Sequence, residues 1–318
     1  MKILANDGMA AVGVTMLEEA GHEVLLNKVA QEQLADFINE NDVAALLVRS
    51  ATKVRKDLMD ACPGLKFVGR GGVGMDNIDV EYGRSKGIRV QNTPAASSES
   101  VAELVFAHLY GGVRFLYSAN REMPLEGESN FKGLKKAYAG GRELRGKTLG
   151  VLGFGRIGQA TARIALGAGM KVVYHDPFME NVSLDLSFFD GQSLSFTLEN
   201  MSKEDVLAQS DFITLHMPAQ ADGKYVLGAD EFGKMKAGAA VVNAARGGVI
   251  DEVALLKALD DEHLGFAALD VFEDEPTPPV QVLMHPKLSL SPHIGAATEE
   301  AQDRIGSEMA SYLIEHFA

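Results

Sequence analysis

Val151-Leu152-Gly153-Phe154-Gly155-Arg156-Ile157-Gly158, with Asp176 eighteen residues after its last glycine, is the stretch that decides the fold. A Gly-x-Gly-x-x-Gly spacing is weak by itself, because a chain with 33 glycines produces such spacings in ordinary turns. Its context makes it specific. Lys147 to Leu152 reads as a short apolar strand, Arg156 to Ala168 as a helix of small residues, and Lys171-Val172-Val173-Tyr174 as a strand ending at His175-Asp176-Pro177. In such a strand-turn-helix, Gly153 permits the tight turn, Gly155 lets backbone approach a pyrophosphate, and Gly158 lets helix and strand touch. The helix N-terminus then faces the diphosphate charge. Asp176 can accept hydrogen bonds from ribose hydroxyls and would repel a 2′-phosphate, which favours NAD over NADP.

The motif also starts late. About 145 residues precede its first strand, enough for a domain of their own. In that region Lys2 to Ala5, Val24 to Leu26, Ala44 to Val48 and Lys66 to Gly69 read as short buried strands with helical stretches between them. The alternation resumes after the motif, with strands at Phe212 to Leu215, Ala240 to Asn243 and Phe266 to Leu269. Such βα alternation implies parallel sheets with right-handed crossovers, so the expected class is α/β with two doubly wound domains. Ser97 to Tyr117 reads as one long helix with a capping-box spacing at Ser100 and Glu103, carrying the chain into the second domain. Glu126 to Gly146 reads as loop or linker, and Thr298 to Phe317 as a closing amphipathic helix.

Composition narrows the class. A formal net charge of -14 disfavours nonspecific binding to nucleic acid or to anionic membranes, so an anionic substrate would need locally clustered cations. The single cysteine, Cys62, excludes an intrachain disulfide and fits a reducing compartment. No apolar run has the length of a membrane helix, and the N-terminus turns polar too early for a signal peptide, so the cytoplasm is the default expectation.

Three further segments carry chemistry: Asn243-Ala244-Ala245-Arg246-Gly247-Gly248, Asp270-Val271-Phe272-Glu273-Asp274-Glu275-Pro276 and Ser291-Pro292-His293-Ile294-Gly295-Ala296. Each follows a strand, where open α/β sheets place ligands. Together they hold a guanidinium, carboxylates and an imidazole, a workable set for moving a hydride and a proton. With Val48-Arg49-Ser50-Ala51-Thr52-Lys53-Val54, Gly69-Arg70-Gly71-Gly72-Val73-Gly74-Met75-Asp76-Asn77-Ile78-Asp79, Asn92-Thr93-Pro94 and Gly146-Lys147-Thr148-Leu149-Gly150, these motifs run nearly end to end. In that order they resemble the D-isomer-specific 2-hydroxyacid dehydrogenase family, and within it the members acting on D-3-phosphoglycerate.

The resemblance implies a Rossmann-type NAD domain at residues 97–291 and a discontinuous, flavodoxin-like substrate domain at 1–96 and 292–318, with the active site in the cleft. It implies NAD as cofactor, no metal, and three catalytic residues. His293 matches the acid/base, a role suited to an imidazole near neutrality. Glu275 matches the partner that orients this ring and stabilises its charged form. Arg246 matches the residue that grips the substrate carboxylate, a task for a planar bidentate donor.

Further cofactor contacts follow from the resemblance. Arg156 and Ile157 match the pyrophosphate turn, and Ala244 and Ala245 the loop near the nicotinamide ribose. Asp270 matches a contact to the nicotinamide amide, Gly295 the loop beside His293, and Val73 a first-domain position at the nicotinamide end. His216-Met217-Pro218 departs from the usual His-Thr-Pro or His-Val-Pro, and Met217 has no hydroxyl, so its contact would be through backbone or van der Waals surface.

On the substrate side, the Gly71 to Gly74 loop, with Gly72, Val73 and Gly74, is able to present N–H groups to a carboxylate, or is simply a turn. Arg49 and Ser50 resemble residues that bind phosphoglycerate, with Lys53 and Arg70 nearby; an exposed helix-start cluster is the plain alternative. Lys135 and Lys136 resemble a basic linker whose surroundings depart from the family pattern.

The expected reaction is NAD-dependent interconversion of D-3-phosphoglycerate and 3-phosphohydroxypyruvate, the entry to serine synthesis. The alternatives are a glycerate/hydroxypyruvate reductase or other 2-hydroxyacid dehydrogenase, and, in a different class, an NADH-sensing binding protein like the corepressors of this fold. The sequence ends at Ala318 after the closing helix, so the short form without a regulatory domain, and no serine feedback through one, is expected. A homodimer or homotetramer through the nucleotide domain and the Ser97 to Tyr117 region is implied as well.

Overall fold

Five short strands open the chain: β1 Lys2–Ala5, β2 Glu23–Leu25, β3 Val43–Val48, β4 Phe67–Arg70 and β5 Arg89–Asn92. In the computed structural model, which describes residues 1–220 and 222–318, they form one sheet in the order β2-β1-β3-β4-β5, every pairing parallel. β3 is a near-continuous apolar run with both faces covered, as strands inside parallel sheets are. One face packs Leu46, Val48 and Val68 against Leu58, Met59 and Ile78. The other packs Ile3, Leu47 and Phe67 against Met309, Ala310 and Leu313 of the closing helix, Glu299–Phe317. Each such fully buried Leu or Phe contributes about 1.5–3 kcal/mol. Thr298 caps that helix, its Oγ1 accepting from Ala301 N–H at 3.1 Å. The chain's last segment therefore completes the unit its first segment begins.

The second unit contains β6 Thr148–Leu152, β7 Lys171–His175, β8 Val182–Ser187, β9 Ser193–Leu198, β10 Phe212–Leu215, β11 Ala239–Asn243, β12 Leu264–Leu269 and β13 Leu288–Leu290. Six of these make a parallel sheet in the order β13-β12-β11-β10-β6-β7. Among the described residues β8 and β9 pair only with each other, as an antiparallel hairpin. A single parallel bridge joins Tyr174 in β7 to Asn200, which marks where a Rossmann sheet would carry one more strand at this edge. The two units are the two parallel α/β domains expected from the sequence.

The division falls at Met1–Ser100 with Ala296–Ala318, and Val101–Gly295. Each boundary lies four residues beyond the expected 96/97 and 291/292. On the C-terminal side the reason is visible: Ile294 and Gly295 N–H groups bind the Asp270 carboxylate, which ties the His293 loop to the second unit.

Two expectations about the connecting segment need correction. Ser97 to Tyr117 is not one helix: Ser98–Val113 and Leu116–Ala137 are separate, broken at Phe115, whose φ is 54°. Ser100 lies inside the first of them, and its hydroxyl bonds the Thr298 hydroxyl at 2.8 Å rather than closing a capping box. The supposed linker from Glu126 is helical as far as Ala137, despite Pro124 within the helix and a non-helical Asn130. Lys135 and Lys136 sit in its last turn, where cations complement the helix dipole, and this accounts for them structurally.

Candidate functional site

Because the second sheet is wholly parallel, the carboxyl ends of β13, β12, β11, β10, β6 and β7 lie along one edge in that order. At about 4.8 Å per strand, the five steps span about 24 Å. Along this edge lie the His293 loop, the Asp270–Glu275 loop, the Arg246 loop, His216-Met217, the glycine turn and Asp176. The chain leaves β6 toward β7 on one side, and leaves β10, the strand on the other flank of β6, toward β11 in the opposite direction. The glycine turn thus stands at a topological switch point, where such sheets bind ligands.

The three glycines of the turn have different physical tasks. Gly153 has φ 85°, and a Cβ on it would approach His216 O at 2.6 Å. A Cβ on Gly158 would come within 2.3 Å of Gly153 O, so helix Arg156–Gly167 reaches its place only with hydrogen there. Gly155 is different: nothing lies within 4 Å of its Cβ position. It is the helix N-cap and offers no side-chain cap, so the first-turn N–H groups of Arg156, Ile157 and Gly158 face outward from a cradle open to an anion. Phe154 anchors the turn by stacking on Tyr174, ring centroids 3.9 Å apart.

Asp176 closes the other side of this cradle. Its Oδ2 accepts from Phe154 N–H at 2.7 Å and its Oδ1 from Phe178 N–H at 2.8 Å. Asn200 fixes the turn that carries it, accepting from Asp176 N–H at 3.0 Å and donating to Asp176 O at 2.7 Å and Met179 O at 2.6 Å. Asn200 was not singled out in the sequence, since nothing local marks a lone asparagine as a stand-in for a strand. The arrangement fits the diphosphate and ribose of a dinucleotide: an open glycine, unpaired helix amides and a carboxylate one strand away.

Next along the edge, His216 has its Nε2 3.0 Å from Thr214 Oγ1 and 3.2 Å from Thr161 Oγ1, and burial lowers its pKa to about 3. Met217 follows it, half-buried against the core. In the β11 loop, Asn243 Nδ2 donates to Arg246 O at 2.9 Å while its Oδ1 accepts from Ala245 N–H at 3.0 Å. This clamp fixes Ala244, Ala245 and Arg246 together. Arg246 Nη1 donates to Ala245 O at 2.7 Å. A Cβ on Gly247 would lie 1.8 Å from Phe272 O, so glycine there lets the Arg246 loop touch the Glu275 loop.

Glu275 and His293 meet directly. His293 Nδ1 lies 2.9 Å from Glu275 Oε2, and Glu275 Oε1 accepts from Phe272 N–H at 3.0 Å. With the carboxylate taking the Nδ1 proton, Nε2 of a neutral ring is left as the base. The backbone of His293 is unusual, with φ 54°. Asp270 holds it there: Asp270 O accepts from His293 N–H at 2.8 Å, and the Asp270 carboxylate accepts from Ile294 N–H at 2.9 Å, Gly295 N–H at 2.8 Å and Ser291 Oγ at 2.6 Å. Asp270 thus organises the loop that Gly295 belongs to.

In the first unit, the candidate substrate residues also gather at the carboxyl ends of their strands. Asp7 accepts from Arg49 N–H at 2.7 Å and Thr52 N–H at 3.1 Å, and Asn77 donates to Arg49 O at 2.7 Å, which pins the loop carrying Arg49 and Ser50. Arg70 Nη2 donates to Ser50 Oγ at 3.2 Å. The Gly71–Gly74 loop is less available than expected: Gly71 N–H donates to Val48 O and Gly72 N–H to Thr93 Oγ1 at 2.8 Å. Val73 and Gly74 are the members left to face a ligand. Among the described residues no cluster suited to a metal ion occurs, and no helix is long and apolar enough to cross a membrane.

Comparison with known proteins agrees with this geometry. Residues 106–295 match the family model described as D-isomer specific 2-hydroxyacid dehydrogenase, NAD binding domain. The chain is 41% identical to a hydroxypyruvate reductase of Thermotoga maritima, over 92% of this chain and 90% of that one. It is 39% identical to a D-3-phosphoglycerate dehydrogenase of Methanocaldococcus jannaschii over 98% of this chain, but spans only 57% of that relative's length. The solved 3-phosphoglycerate dehydrogenase of Entamoeba histolytica with bound NAD+ superposes with a TM-score of 0.77 at 30% identity, covering 100% of this chain and 95% of that one.

Proposed function

The chain belongs to the D-isomer-specific 2-hydroxyacid dehydrogenase family, and from that premise we propose that it oxidises or forms a small anionic D-2-hydroxy acid with NAD. The observation that carries this reading is the His293–Glu275 pair, 2.9 Å apart and pinned from behind by Phe272 N–H. Gly153, Gly155, Arg156, Ile157 and Gly158 would hold the diphosphate, and Asp176 the adenosine ribose. Val73, Met217, Ala244, Ala245, Asp270 and Gly295 would lie at the nicotinamide end. When bound, the nicotinamide supplies the hydride acceptor.

The chain's own residues do the rest. Arg246 binds the substrate carboxylate and polarises the C2 oxygen. His293 Nε2 takes the hydroxyl proton as C2 loses hydride, and returns it in the reverse reaction. Glu275 keeps the ring in the required tautomer and stabilises the imidazolium as it forms. The Asp176 carboxylate favours NAD over NADP because a 2′-phosphate would meet like charge. NADH should therefore show a KM at least tenfold lower than NADPH.

For the substrate we propose D-3-phosphoglycerate and 3-phosphohydroxypyruvate, with Arg49, Ser50 and the Val73-Gly74 end of the glycine loop of the first unit binding the anion, Gly72 shaping that loop. Arg49 and the Arg70–Ser50 contact support a phosphorylated acid. Hydroxypyruvate is a second reading, favoured by the 90% coverage of the Thermotoga reductase. The deciding experiment compares kcat/KM for 3-phosphohydroxypyruvate, hydroxypyruvate, glyoxylate and pyruvate with NADH, in wild type and Arg49→Ala. Selective loss on the phosphorylated acid supports the first reading; equal loss on all four assigns Arg49 elsewhere. NADH binding without turnover of any of them would favour a sensing role. We also propose a homodimer or homotetramer through the exposed apolar side chains of the Ser98–Val113 and Leu116–Ala137 helices, among them Tyr110, Leu116, Leu125 and Phe131.

A further inference from the structure

Behind the His293 loop lies a buried histidine that the proposed chemistry does not use. His108 sits on the Ser98–Val113 helix, with Nδ1 2.8 Å from Ser289 Oγ and Nε2 3.0 Å from Ser291 Oγ. Ser291 Oγ also donates to Asp270 Oδ1 at 2.6 Å, and Asp270 is the residue whose carboxylate binds Ile294 N–H and Gly295 N–H. These six groups form one chain from a helix to the backbone of the catalytic loop.

The direction of every hydrogen bond in it is determined. A carboxylate only accepts, so the Ser291 hydroxyl proton is spent on Asp270. Ser291 Oγ then has only lone pairs left for His108, so Nε2 must carry the ring proton. Nδ1 is consequently bare and accepts from the Ser289 hydroxyl. Burial lowers the His108 pKa, which keeps the ring in the neutral form this pattern requires.

We propose that His108 is a positioning residue: its Nε2–H fixes the Ser291 hydroxyl, Ser291 orients Asp270, and Asp270 holds His293 in the left-handed backbone conformation that presents its ring to Glu275. A left-handed histidine is strained and persists only where its surroundings over-determine it, and this chain supplies that constraint. A misplacement of about 1 Å in a reacting group can cost 10²-fold in rate, so a buried polar chain with no substrate contact can still govern kcat.

The assignment rests on the dehydrogenase reading for its kinetic arm and is independent of it for its spectroscopic arm. In the full chain, His108→Leu should lower kcat about tenfold or more, with NADH affinity changed less than twofold. His108→Gln, which places an N–H donor near the Nε2 position, should restore kcat to within about threefold of wild type. Ser291→Ala should resemble His108→Leu, and the double variant should be no worse than the poorer single, because both break the same chain. If His108→Leu does not fold, Ser291→Ala and His108→Gln carry the same comparison. By ¹⁵N NMR, His108 should be the Nε2–H tautomer, and the His293 ring resonances should move in Ser291→Ala but not in His108→Gln. A wild type that turns over no 2-hydroxy or 2-oxo acid while showing these NMR results would sink the dehydrogenase reading and leave the positioning role standing. An Nδ1–H tautomer, unmoved His293 resonances, a Gln variant as impaired as Leu, or effects that multiply in the double variant would overturn the positioning role.

Discussion

His293 Nδ1 lies 2.9 Å from Glu275 Oε2, and the other oxygen of that carboxylate is tied to Phe272 N–H at 3.0 Å. The acid is therefore held by the backbone of its own loop, and the ring orientation follows from it. Glu275→Gln keeps the shape but replaces an acceptor-only group with one that also donates. The expected result is a fall in kcat of about 10²-fold with little change in the NADH KM, read by steady-state kinetics. Wild-type kcat in that variant would remove Glu275 from the mechanism.

The glycine turn separates two kinds of necessity. Gly155→Ala places a methyl in open space, since nothing lies within 4 Å, and the variant should fold with Tm within about 2 °C of wild type while binding NADH at least tenfold more weakly. Gly158→Ala meets Gly153 O at 2.3 Å and should lower Tm itself by about 4 °C or more, whether or not cofactor is present. Thermal melts with and without NADH distinguish them. Equal destabilisation by both would contradict the assignment of Gly155 to the ligand.

Burial lowers the His216 pKa from 6.5 to about 3, so the folded state disfavours its charged form. A depressed folded-state pKa means the contribution is fully present above the unfolded pKa of about 6.5 and is lost as pH falls toward 3. One such group removes at most about 2 kcal/mol between pH 6.5 and pH 5. His108 is shifted in the same direction by its own burial and adds to the slope. Urea denaturation of wild type and His216→Gln at pH 7 and pH 5 should show the variant losing less stability on acidification.

Glu252 has the opposite sign. Burial, reinforced by the charges of Glu273, Asp274 and Glu275, raises its pKa, although the Glu273 N–H donated to it at 2.9 Å pulls the other way. A raised folded-state pKa gives a contribution present below the unfolded value of about 4.3 and lost as pH rises through the folded one. Glu252→Gln keeps an acceptor for Glu273 N–H and removes the charge. Its Tm should exceed wild type by about 1–3 °C at pH 8, with the gain vanishing near pH 4. A lower Tm at pH 8 would show that the charge is compensated.

Much of the molecule was legible because its signals are local. Strands such as Phe212–Leu215 and Lys2–Ala5 are apolar runs bounded by polar turns, and the Gly153–Gly158 spacing encodes steric demands in the residues themselves. The Leu116–Ala137 helix was missed because it buries only Leu134 within the chain, so it carries no inward stripe to read. The hairpin Val182–Leu198 escaped notice because a two-stranded ribbon resting on a helix leaves a weak alternation, with only Leu184 fully buried.

By itself the sequence determined the α/β class, the nucleotide turn and which side chains bring acid, base and cation to the strand ends, since each depends on residue type and short spacing. The tertiary structure decided how those side chains are held. Parallel pairing puts Arg246, Glu275 and His293 after three adjacent strands, and long-range hydrogen bonds from Asp270, Asn200, Ser291 and His108 join residues far apart in the chain. Such bonds leave no periodic mark in the sequence, because a buried polar group finds its partner only after the chain has folded around it.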